Sequence, residues 1–250
     1  MRKGEALLAS DFKEFDTEGN VDSGCAVQNK ESKFYRWFYK RIFSRWYDSG
    51  VRFFLGHFGG EDGFRQELLR TIFFSSDDRI LDLCYGTGGV TQSIIKRAGT
   101  LTRIIGVDRS VVQITNAIKK NTASNVSFVL SCASATGLLS GYFDKVFIGH
   151  ALHEMPRRIR LAVINEAKRI IRNEGQVIIF EFNKPSSLKR RLWLGFWLLS
   201  WIPYPINFEK RTIQDMLEHG VDDEVRECGF RNVHKIIKFN GTMQIVTANK

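Results

Sequence analysis

The sequence predicts an α/β fold, a mostly parallel sheet with helices on both faces. Three observations predict it. A buried strand at 79–84 breaks into Gly86-Thr87-Gly88-Gly89 and feeds a helical stretch at 90–98. From Ile80 onward, apolar runs of strand length alternate with amphipathic helices, the pattern of βαβ units and parallel pairing. The second strand ends on an acid, Asp108, at the edge of the sheet where open α/β folds collect their ligands.

Taken in order, residues 1–30 are polar and contain Gly, Asp and Ser, so a flexible segment is expected ahead of a single domain at 31–250. The first residues mix Glu5, Asp11 and Glu14 into a short apolar run, which does not read as a signal peptide. Residues 33–74 read as an N-terminal helical cap. At 100° per residue, Tyr35, Phe38, Tyr39, Ile42 and Trp46 share one face of a basic amphipathic helix at 33–46. A second helix is expected at 64–74. Strands follow at 79–84, 103–107, 126–130, 145–149 and 176–182, with helices at 90–98, 111–121 and 157–172. An insertion at 185–211 precedes a helix around 212–228 and two closing strands at 232–239 and 243–248, seven strands in all.

At 250 residues the chain is long enough to bury a sizeable core. Its formal net charge of +10 points to a polyanionic surface nearby, nucleic acid or an anionic membrane. Cys25, Cys84, Cys132 and Cys228 show no paired or metal-like spacing, which fits a reducing cytoplasm.

The chemistry concentrates at the carboxyl ends of the strands. A strand that ends in glycines and opens a helix presents bare backbone N–H groups to a nucleotide-like ligand. The residue three after Gly88 is Thr91, so the third glycine of a dinucleotide fingerprint is missing. Asp82 stands four residues before the first turn glycine. Asp108 is placed to accept hydrogen bonds from both ribose hydroxyls of a nucleoside. The third strand runs into Ser131-Cys132-Ala133-Ser134, where backbone and packing would hold an adenine edge. The fourth ends in Gly149-His150-Ala151-Leu152-His153-Glu154. A histidine there suits proton transfer from an acceptor hydroxyl or amine, and His150 and His153 are the candidate bases. No further ligand cluster supports a metal site.

Over residues 80–182 the chain resembles the class I S-adenosylmethionine (SAM) methyltransferases, and among them the ubiquinone/menaquinone biosynthesis C-methyltransferases. The resemblance rests on Leu81-Asp82-Leu83 with Gly86-Thr87-Gly88, on Phe143-Asp144 and Glu174-Gly175, and on Phe180-Glu181-Phe182-Asn183-Lys184-Pro185. Tyr47-Asp48 and Gly229-Phe230 match an upstream Tyr-Asp pair and a late Gly-Phe. The resemblance implies a Rossmann-like fold and SAM contacts at Tyr47, Asp82, Cys84, Gly86, Thr87, Gly88, Asp108, Arg109, Cys132, Ala133 and Gly149. Cys84 and Tyr85 depart from the family's small residues, and the stretch after Pro185 leaves its pattern.

That stretch carries Lys189-Arg190-Arg191 and then Trp193, Trp197 and Trp201 at four-residue intervals along one helical side. About 15 helical residues rise roughly 22 Å, short of the roughly 30 Å hydrocarbon core, so the segment does not span a bilayer. It is expected as a lid over a lipophilic substrate, its basic end resting on anionic lipid. The favoured acceptor is a lipophilic small molecule such as a prenylated quinol. The alternatives are a phospholipid or amine N-methyltransferase and an RNA methyltransferase. Basic residues interleaved with bulky apolar ones argue against nucleic acid. The sequence leaves a homodimer open, and it places the enzyme in the cytoplasm, peripheral to the membrane.

Overall fold

The structure, a computed structural model, describes residues 60–98, 102–120, 123–184 and 207–250. Helix α1 (Gly60–Leu69) leads into β1 (Arg79–Leu83), α2 (Gly89–Ala98), β2 (Arg103–Asp108), α3 (Val111–Lys120) and β3 (Val126–Leu130). Then come β4 (Phe143–Gly149), a 3-10 turn (Leu152–Glu154), α4 (Arg157–Ile170) and β5 (Ile171–Phe182). The chain closes with α5 (Asn207–His219), α6 (Val221–Glu227), β6 (Arg231–Lys238) and β7 (Met243–Asn249).

The seven strands form one sheet in the order β3-β2-β1-β4-β5-β7-β6. Strands β1 to β5 pair in parallel, and only β7 runs against its neighbours β5 and β6. The mostly parallel seven-stranded sheet expected from sequence is therefore present, and it is mixed at one edge. The chain winds outward from β1 through β2 to β3 and returns to β4 on the other side. That reversal opens a crevice at the carboxyl ends of β1 and β4, where ligands bind in open α/β sheets.

Strand periodicity divides the core into two layers. Ile80, Ile104, Phe147, Ile178 and Phe180 pack with Phe64 and Leu68 of α1 and Ile94 of α2. Leu81, Leu83, Val146, Ile148 and Ile179 pack on the other face with Val163, Ile164 and Ala167 of α4 and with Met216 and Val225. Burial on both faces explains why the central strands read as nearly continuous apolar runs.

Three boundaries differ from the sequence reading. Helix α1 ends at Leu69, and a loop links it to β1. Strand β5 begins at Ile171, directly after α4, because Phe143 pairs with Ile171 ahead of a bulge between Phe143 and Lys145. The helix expected at 212–228 is two helices: Gly220, at φ 82°, takes a left-handed backbone that ends α5 and starts α6. Residues 1–59, including the 33–46 helix and Tyr47, lie outside the described residues. So do residues 185–206, with Trp193, Trp197 and Trp201. Among the described residues, no helix is long and apolar enough to cross a membrane.

Candidate active site

Strand β1 delivers Asp82 to the floor of the crevice and then turns sharply. Cys84 adopts φ 66° and Gly88 φ 80°, so the chain doubles back over the strand end and enters α2. Cys84 takes without glycine a conformation that costs an L-residue roughly 1–2 kcal/mol. Gly88 could not be exchanged: a Cβ there would meet the ring of Tyr85. Tyr85 itself is buried. Its ring covers Gly106 of β2 and meets Phe128 of β3 edge-on, with centroids 5.0 Å apart. The bulky departure from the family pattern is thus absorbed beneath the turn, in a small cluster with Ile114 and Ala117 of α3.

Above the turn the space is open. A Cβ added to Gly86 would meet nothing within 4 Å, and Thr87 is exposed beside it. Asp82 is 1% exposed and accepts a 2.6 Å hydrogen bond from the Thr91 hydroxyl. Burial pushes its carboxyl up to about 7, against the pull of that bond.

Beside the turn, Asp108 ends β2. One carboxylate oxygen accepts the Gly86 amide at 2.8 Å and the other accepts the Ser110 amide at 2.8 Å. The acid therefore ties the glycine turn to the next strand and keeps acceptor capacity on both oxygens for a ligand's hydroxyls. Burial raises its proton affinity and the backbone amides oppose that rise. Arg109 beside it is exposed. The Ser131 amide donates to the Asp108 carbonyl at 3.0 Å, and the Ala135 amide closes a turn onto the Cys132 carbonyl at 3.1 Å. Cys132 and Ala133 thus lie next to Asp108.

Strand β4 brings the histidines. Gly149 is required by Val90 of α2, whose Cγ2 would lie 2.8 Å from an added Cβ. From sequence alone, that small residue suggests close approach of a cofactor. In the structure a neighbouring side chain uses the space. His150 has a left-handed backbone, φ 51°, and its Nε2 is buried without a hydrogen bond. Desolvation lowers the imidazole to about 4, so it is neutral at physiological pH.

His153, in the 3-10 turn, is held differently. Its Nδ1 lies 2.8 Å from Oε1 of Glu181, and a carboxylate can only accept, so Nδ1 is the protonated nitrogen. The lone pair of the neutral ring is then on Nε2. Glu181 is fully buried in β5. It also accepts the amides of Leu152 (3.0 Å), His153 (3.3 Å) and Phe182 (3.0 Å). Against the upward push of burial, the His153 and His150 imidazoles and the Phe182 amide hold the carboxyl below its usual range.

The fold thus gathers Asp82, Gly86, Thr87, Gly88, Asp108, Cys132, Ala133, His150 and His153 at the carboxyl edge of β1 to β4. Two residues of this edge escaped the sequence reading as site residues. Glu181 had a signal, an acid inside the apolar run Phe180-Glu181-Phe182, which needs a buried partner. Arg65 of α1 had none. It is one of 37 basic residues, and only the fold sets its guanidinium against Gly89 at the start of α2.

Comparison with known proteins agrees with this arrangement. A family described as Methyltransferase domain matches residues 80–175, the span from β1 into β5. An uncharacterized methyltransferase of Synechocystis sp. is 26% identical over 76% of this chain and 84% of its own length. The ubiquinone/menaquinone biosynthesis C-methyltransferase UbiE of Geotalea uraniireducens is 26% identical over 58% of this chain and 63% of its own. Among solved structures, phosphoethanolamine N-methyltransferase 2 of Haemonchus contortus, in complex with SAM, shares the fold. Its TM-score is 0.60 at 14% identity, over 88% of this chain and 60% of that one. The open glycine turn, the buried acid beneath it and the acid that accepts its Gly86 amide fit the methionyl arm and ribose of SAM. On these grounds residues 80–175 form a SAM-dependent methyltransferase domain, and the chain resembles the class I ubiquinone/menaquinone biosynthesis C-methyltransferases at low identity.

Proposed function

We propose that this enzyme methylates a lipophilic acceptor of the prenylated-quinol type, at the cytoplasmic surface of an anionic membrane, with His153 as the proton acceptor. The observation that carries the base assignment is the buried Glu181 carboxylate 2.8 Å from His153 Nδ1. This pair fixes the tautomer, orients the ring and favours the imidazolium that proton uptake creates. His150 suits another task. A neutral, buried imidazole shapes the pocket wall without placing a second positive charge near the cofactor.

SAM supplies, when bound, a methyl group activated by a positively charged sulfur. Asp108 would hold its ribose and Asp82 the floor under its amino-acid arm. Transfer of His153's lone pair to an acceptor hydroxyl proton leaves an oxyanion whose charge spreads onto the aromatic carbons beside it. One of those carbons would take the methyl as the donor's carbon–sulfur bond breaks and leaves the sulfur neutral, and it would release its own hydrogen as a proton to restore the aromatic ring. Fixing the acceptor in line and excluding water can supply about 7–11 kcal/mol of the barrier reduction.

The acceptor class is supported by the name of the relative from Geotalea and by the +10 charge. It is also supported by the basic-then-aromatic stretch 189–201, outside the described residues. The test is incubation with isotopically labelled SAM, a membrane lipid extract and total cellular RNA, followed by mass spectrometry. Label on a prenylated aromatic ring is expected. Label confined to phospholipid headgroups or RNA would refute the reading.

A further inference from the structure

Arg65 lies outside every motif of the sequence, yet its head group rests where the glycine turn becomes α2. Gly89 is the first residue of α2, and a Cβ there would collide with the guanidinium of Arg65. The glycine therefore lets a cation rest against the start of a 10-residue helix, whose first-turn N–H groups have no intrahelical partners. Arg65 lines a small cavity together with Leu68, Val90, His150 and Phe180. Its charge is felt at both Asp82 and His150, where it opposes protonation.

The amino-acid arm of SAM is a zwitterion, an ammonium and a carboxylate on one carbon. A pocket that holds it needs an acid and a cation close together. Asp82 lies beneath the glycine turn, and Arg65 stands where that turn becomes α2. From this juxtaposition we infer that Arg65 anchors the α-carboxylate of SAM, with the amides at the start of α2 as its neighbours. A guanidinium presents paired donors that match a carboxylate edge to edge, which an ammonium does not. The inference rests on the reading of the turn as the cradle for SAM. It adds the residue that would discriminate cofactors by their carboxyl group.

Calorimetry on the full chain tests it with two probes, SAM and decarboxylated SAM, which keeps the sulfonium and the amine. The wild type should prefer SAM by about tenfold or more, the scale of a bidentate charged pair. Arg65→Met keeps the apolar stem and should weaken SAM by that factor while leaving decarboxylated SAM within about twofold. Arg65→Lys should fall between. Thermal melting of both variants reports whether the fold is kept, and Arg65→Lys carries the comparison if Arg65→Met unfolds. Equal weakening of both probes, or no weakening of either, would overturn the anchor and leave the cradle standing. A wild type that binds neither probe would remove the cradle itself, and the anchor with it.

Discussion

Exchanging His150 for Asn and, separately, Asp82 for Asn should tilt the dependence of stability on pH in opposite directions. His150 is neutral in the folded protein down to about 4, against an ordinary value of 6.5. Between those limits the unfolded chain holds one more proton, so stability rises with pH by about 1.4 kcal/mol per unit. Asp82 behaves in reverse. Its folded value of about 7 lies above 3.8, so the native state holds the extra proton and stability falls with pH at the same slope. From pH 4 to 6.5 the two terms nearly cancel in the wild type. Asn tolerates the left-handed backbone at 150 and leaves Asp82 unopposed. Urea unfolding at pH 4.5, 5.5 and 6.5 reads the effect as a difference from wild type, which removes the background of the other carboxylates. Over those two units His150→Asn should lose about 3 kcal/mol relative to wild type, and Asp82→Asn should gain about the same. If both differences stay flat across the window, neither group is held as described.

Asp108→Ala should weaken SAM binding by about 1–3 kcal/mol in calorimetry, because the ribose acceptor and the Gly86 tether vanish together. Unchanged affinity would remove the ribose assignment. Glu181→Gln should lower kcat about tenfold or more and move the acid limb of the rate profile to lower pH, with SAM affinity unchanged. An unshifted profile would deny His153 the role of base. Arg160→Met should cost about 3–5 kcal/mol in urea unfolding. It takes from Glu224, which is 1% exposed, its bonds to Arg160 Nε and Nη2, leaving Arg157 Nε at 3.7 Å, and it frees the Met155 carbonyl next to the His153 turn.

The parallel sheet was legible because its strands are buried on both faces, and the composition of each run records that directly. The glycine turn and Asp108 were legible because backbone geometry and ligand chemistry limit which residues can stand there. The two-helix break at Gly220 was not, since an isolated glycine in an amphipathic run is compatible with one continuous helix. The early start of β5 was hidden by Asn173-Glu174-Gly175, which reads as a turn and in the structure is absorbed by a bulge and a left-handed Glu174. The sequence listed His150 and His153 as equals. Only tertiary contacts distinguish them, through a carboxylate 28 residues after His153 and, around His150, an enclosure of Leu68, Val90 and Phe180 with Arg65.

The two edges of the sheet divide stability from chemistry. At the amino edge Lys145 meets Asp78 at 2.6 Å, and Asp144 accepts both the backbone amide and Nε of Arg79 at 2.9 Å, with Arg172 on its other oxygen. Against the upward push of burial, these partners hold Asp144 at about 2, so its contribution is present at neutral pH and is lost only in strong acid. The carboxyl edge carries the opposite burden. Cys84 and His150 are left-handed without being glycine, His150 Nε2 is buried unpaired, and Asp82 is denied an easy negative charge. Each is unfavourable in the free protein, and a cationic nucleoside settling over the turn would relieve the Asp82 term by giving that charge a partner. Part of the affinity for SAM should therefore come from partnering Asp82, and it stabilises the fold through that affinity. Asp82→Asn, with no charge left to partner, should bind SAM more weakly and show a smaller ligand-induced rise in melting temperature.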